Sequence, residues 1–113
     1  MTKPSDKGKS SKRFEQLNLI IDDIAPKLPT AAHVAVLVCC FRHGRGLGFF
    51  RVSTQRIAKS TKLQRRRVQY IMDDLERQGV VVLVAEHKGP IPRTYRIPFA
   101  MVNGALQCTI KNN

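Results

Sequence analysis

A chain of 113 residues has room for one domain and a tail, not two. Its 42% hydrophobic content suffices for a core without disulfides or a metal, and its apolar run at residues 34–41 is too short to cross a bilayer. With no secretory leader in view, a cytoplasmic location without a membrane partner is expected. Twenty Lys and Arg against eight Asp and Glu leave a net charge of +12, which points to a polyanionic partner.

The charge is unevenly spread. Between Asp23 and Asp73 the chain has no acidic residue and ten basic ones. Residues 1–12 contain no apolar side chain after Met1, so a disordered basic tail is expected there, with Lys3, Lys7, Lys9 and Lys12 as a basic arm or as a solubilising segment. From 13 to 28, Phe14, Leu17, Ile21, Ile24 and Leu28 follow one another at spacings of three and four. That rhythm predicts an amphipathic helix ended by Pro26 and Pro29. Its stripe is expected to pack on the domain or on the same helix of a second subunit, giving a homodimer.

Thr30 stands at an N-cap position before Ala31–Arg42, an apolar run expected to form a buried helix closed by the turn His43-Gly44-Arg45-Gly46. Residues 49–52 suit a short strand. Ser53 is placed to cap a second helix over 54–60 that buries Ile57 and Ala58. A third helix is expected from about 64 to 78, with Val68, Ile71, Met72 and Leu75 on one face and Gly79 just past its end. Residues 80–86 and 94–99 then read as two strands of a hairpin with a long tip at 87–93. The C-terminal extension, 100–113, carries Met101, Val102, Leu106 and Ile110 for docking at no assigned place.

The order helix, short strand, helix, helix, hairpin is that of a winged helix. The expected fold is therefore α+β, mainly α: a winged helix-turn-helix over residues 29–99, with a C-terminal β-hairpin wing and an extra N-terminal helix. In such a unit the second helix of the pair enters the major groove of duplex DNA. Gln64, Arg65, Arg66, Arg67 and Gln69 occupy its first turns, where Arg and Gln side chains can form paired contacts with guanine or adenine. Successive helical residues are about 100° apart, so one or two of the three arginines are expected to reach bases while the others hold phosphate. Arg56, Lys59 and Lys62 suit the flanking backbone, with Ser53 and Thr54 at the start of the preceding helix counted in the same surface. Lys88 and Arg93, near the hairpin tip, are placed for the adjacent minor groove.

Other chemistries find less support. Cys39, Cys40 and Cys108 read as reduced, core-filling thiols; Cys39 and His43 share a helix face, but no well-spaced second pair accompanies them, so no metal is expected. Gly44-Arg45-Gly46-Leu47-Gly48 lacks the strand-then-helix setting of a dinucleotide loop. No nucleophile–base arrangement is visible, so neither an enzyme, a cofactor nor a small-molecule substrate is expected.

The stretch STQRIAKSTKLQRRRVQYIMDDLERQGVV resembles the helix-turn-helix of winged replication-initiation and regulatory proteins of phages and plasmids. Ser53, Ile57, Ala58, Val68, Met72, Leu75, Gly79 and Val80 match that group's core and cap positions, and LPTAAHVAVLVCCFRHG resembles its first helix. The resemblance implies a double-stranded DNA-binding protein in replication initiation or transcription regulation. The chain departs from the pattern at Lys62, where a turn glycine is usual, and at Gln64, where Ser or Thr caps the recognition helix. Lys62 must then take a positive φ or a different turn, and Gln64 is a poor cap. The alternatives are a winged helix that binds protein, which has no need of so basic a segment, and RNA binding, for which Tyr70 and Tyr95 are few stacking residues.

Overall fold

The structure, a computed structural model, describes the backbone of residues 4–109 and the side chains of residues 12–109. Among these residues, four α-helices and six short antiparallel strands form an α+β arrangement that is about half helical. The elements run α1 (Pro4–Leu19), a π-helical segment (Ile20–Ile24), a 3₁₀ turn (Ala25–Lys27), α2 (Ala31–Arg42), β1 (Gly44–Arg45) and β2 (Phe49–Arg51). They continue with α3 (Thr54–Thr61), α4 (Arg65–Arg77), β3 (Val82–Ala85), β4 (Thr94–Arg96), β5 (Phe99–Val102) and β6 (Ala105–Cys108). No helix among the described residues is long and apolar enough to cross a membrane.

The centre of the fold is α2, whose Val36, Leu37, Cys40 and Phe41 are buried. Thr30 caps it as expected, its hydroxyl accepting from the His33 amide at 3.3 Å. Against α2 pack Ile57 of α3 and the α4 stripe Val68, Ile71, Met72 and Leu75, all buried. The α4 stripe is the one expected from its 3–4 spacing. Burial also pushes the Cys40 thiol pKa far up, so this cysteine stays a neutral apolar filler, its sulfur 3.9 Å from that of Met72.

The strands close the other side. A four-stranded antiparallel sheet runs in the order β1-β2-β4-β3. Its inward residues are Phe50 and Tyr95, paired across β2 and β4 with their rings stacked at 5.6 Å. The glycines 44–48 thus serve a hairpin between β1 and β2. Gly48 has φ +86°, and a Cβ there would lie 2.4 Å from the Ile97 carbonyl oxygen, so only glycine fits. The β3–β4 hairpin forms where the sequence predicts it, with its tip closed by paired hydrogen bonds between Lys88 and Ile91.

Two expectations require correction. Helix α1 begins at Pro4, inside the segment read as a disordered tail; residues 1–3 lie outside the described residues. Helix propagation from a packed segment adds one hydrogen bond per residue without a new nucleus, and Pro4 is tolerated at the first position. The stripe over 13–28 is only in part the buried face: Ile24 is buried and Leu17 and Leu28 pack against the core, but Gln16 and Ile20 are buried with them, while Phe14 is 67% and Ile21 47% exposed. A π-helical bond from the Ala25 amide to the Ile20 carbonyl inserts an extra residue per turn there, which shifts the buried positions relative to an unbroken α-helical stripe.

The C-terminal extension, expected to dock at no assigned place, finds its position here. Phe99 opens a second hairpin, β5–β6, turning at Asn103-Gly104 with both residues at positive φ. Leu106 and Cys108 pack against the core, and β6 lies beside α1; Ile110 falls outside the described residues.

Candidate nucleic-acid interface

Helices α3 and α4 meet across a three-residue turn, Lys62-Leu63-Gln64. Ser53 caps α3 by accepting from the Arg56 amide at 3.1 Å. The chain then turns through Lys62, which takes the left-handed conformation at φ 62°, ψ 26°. A side chain is disfavoured there, and Leu63, packed against the core, holds the turn in place.

Gln64 occupies the N-cap of α4 without a side-chain hydrogen bond to the helix. The first turn therefore starts with amide donors that no capping side chain satisfies, at the positive end of the helix dipole. Arg65, Arg66 and Arg67 occupy that turn, all exposed, and no acidic residue shares it. Their side chains fan around the axis because Val68, Ile71, Met72 and Leu75 hold the opposite face in the core. This pole combines free backbone donors, a helix dipole and three guanidinium groups, an arrangement suited to oxyanions.

The other expected residues divide into two groups. Arg56, Lys59, Lys62 and Gln69 are exposed on the same two helices and their turn, and Thr54 is half-buried at the start of α3. Lys88 is exposed at the tip of the β3–β4 hairpin. Arg93 is exposed there too, with its Nε donating to Glu86 Oε1 at 2.8 Å across the hairpin. The reason is register, since Ala85 pairs with Thr94 and the next residues outward, Glu86 and Arg93, fall opposite each other.

Sequence reasoning missed the groups that aim α4. His33 is buried on α2, its Nε2 2.8 Å from Asp74 Oδ2 on α4 and its Nδ1 2.7 Å from Thr30 Oγ1. Both ring nitrogens of His33 therefore have a hydrogen-bond partner, Asp74 on one side and Thr30 on the other. Asp74 also accepts from Gln78 Nε2 at 3.0 Å and pairs with Arg77 at 3.3 Å. The His33 hydrogen bond, helped by Gln78 and Arg77, holds the Asp74 carboxyl below its ordinary pKa against the opposing effect of desolvation. Beyond it, Gly79 at φ 78° ends the helix, with the Val80 amide bonded to the Leu75 carbonyl at 2.9 Å and the Gly79 amide to the Glu76 carbonyl at 3.1 Å. The C-terminal half of α4 is thus fastened from two sides. Compared with known proteins, the chain matches no family model, no curated protein and no solved structure.

Proposed function

We propose that this chain is a winged helix-turn-helix protein that binds double-stranded DNA, with α4 as the recognition helix and the β3–β4 hairpin as the wing. The observation that carries the reading is the start of α4: three exposed arginines on an uncapped helix end whose opposite face is buried. Arg65, Arg66, Arg67, Gln64 and Gln69 contact the duplex in the major groove. Arg56, Lys59 and Lys62 take the flanking phosphates, with Ser53 and Thr54 beside them. Lys88 serves the wing, and Arg93 braces its stem through Glu86. The protein acts by binding rather than catalysis, and the resemblance of its helical pair points to replication initiation or transcription regulation.

A homodimer through residues 13–28 belongs to the same proposal. Phe14 and Ile21 lie seven residues apart and are both exposed, which supports an apolar seam open to a second copy.

The test is a titration against a randomised duplex pool near physiological salt, followed by sequencing of the retained DNA. Enrichment of one motif is the expected outcome, and symmetric half-sites would match a dimer. Failure to retain duplex overturns the reading. With about six phosphates contacted, log K should fall against log salt with a slope near −5. Arg66→Ala should cost about 1–3 kcal/mol of binding and relax preference at one position, with folding stability unchanged; a loss equal on all sequences assigns Arg66 to phosphate instead.

A further inference from the structure

We propose that the solvent face of the four-stranded sheet is a second nucleic-acid surface, one that takes unpaired nucleotides by stacking a base on Phe49 among arginines. The face follows from strand alternation. Phe50 and Tyr95 point into the core, so Phe49 and Arg51 on β2 and Thr94 and Arg96 on β4 point outward. The registers Arg45↔Phe49 and Phe49↔Arg96 place these three side chains in one cross-strand row, and Arg51↔Thr94 forms the next.

The row is built rather than accidental in its chemistry. Phe49 is 42% exposed, and the Arg96 guanidinium lies over its ring, 5.5 Å from the centroid. Arg96 is held there by donating to the Phe99 carbonyl, and Arg51 is oriented by its Nε donating to Thr94 Oγ1 at 3.1 Å. An open groove of about 380 Å³ beside the ring is lined by His43, Arg45, Phe49, Phe50, Arg51 and Thr94, with no carboxylate in the lining. That volume lies at the small end of ligand sites and has room for a nucleotide.

An aromatic ring flanked by guanidinium groups is suited to a planar base with a phosphate on either side. A duplex cannot use it in this way, because paired bases present their edges, not their faces. The ligand class is therefore single-stranded nucleic acid, and the surface is distinct from the arginines of α4.

The chain has no tryptophan, so Phe49→Trp places a reporter at the site. The full-length protein is titrated with oligothymidylate of about ten nucleotides, with an abasic deoxyribose-phosphate oligomer of equal length, and with duplex. Oligothymidylate should bind on the order of tenfold more tightly than the abasic oligomer, the difference being the stacking contribution. Phe49→Leu should abolish that preference and leave duplex binding intact, whereas Arg66→Ala should weaken duplex binding and keep the preference. Phe49→Trp should retain the preference and show quenched indole emission on binding oligothymidylate. Equal affinity for the two oligomers overturns the proposal, as does unquenched indole emission from the saturated Phe49→Trp complex. Loss of the preference in Arg66→Ala rather than Phe49→Leu also overturns it, by moving the single strand to α4. Duplex binding by α4 stands or falls separately.

Discussion

The two ends of α4 are built in opposite ways. At the C-terminal end, Asp74 is fixed by His33, Gln78 and Arg77, and Gly79 closes the helix with two backbone bonds. At the N-terminal end, Gln64 caps nothing, Lys62 holds a conformation that favours glycine, and three like charges crowd one turn. The difference teaches where stability is placed and where it is withheld. One end anchors the helix, and the other leaves its donors and cations open to solvent at some expense to folding.

The comparison breaks most severely if the shared anchor is removed. Leu75 is fully buried beneath the fastened end, and Leu75→Ala should cost about 2–5 kcal/mol, read as a lowered denaturant midpoint. Asp74→Asn should cost about 1–3 kcal/mol by weakening the link to His33 while the arginines are untouched. The pH dependence has a definite sign. The folded-state pKa of Asp74 lies below its unfolded value, so its contribution is complete above the ordinary carboxylate range and is lost as pH falls through the lowered value. Wild type should therefore lose stability more steeply than Asp74→Asn as pH falls below the ordinary carboxylate range, and parallel curves would refute the assignment.

The smallest effect sharpens the contrast from the open end. Gln64→Ser supplies the missing cap and should raise stability by about 0.5–1 kcal/mol in thermal unfolding. No gain would mean that the first-turn amides already have partners.

Local features of this chain were legible, and long-range ones were not. Helix α2 begins and ends where Thr30 and the glycine turn place it, and Ser53 and Gly79 act as read, because caps depend on a few adjacent residues. The positive φ of Lys62 is one of the two outcomes that the resemblance implied at a turn where glycine is usual. The His33–Asp74 bond spans 41 residues and leaves no periodic trace, and Gln16 is buried with its amide donating to the Gly46 carbonyl, a contact no local pattern reports. The β5–β6 hairpin did carry a signal: Asn103-Gly104 is a favoured two-residue turn, and the segment around it alternates too weakly to draw notice. The outward row at Phe49 needed the register of three strands, which adjacent residues do not encode.

The π turn at Ile20–Ile24 has a genetic consequence. Deleting the codon for Asp22 preserves the reading frame and restores ordinary helical winding, so everything upstream swings by about 100° about the helix axis. Arg13 would leave the Phe41 ring, Gln16 would leave Gly46, and the outward pair Phe14 and Ile21 would face a new direction. For this segment, length rather than composition sets which side of the helix meets the core. An insertion or deletion of one residue there would alter that packing more than most substitutions.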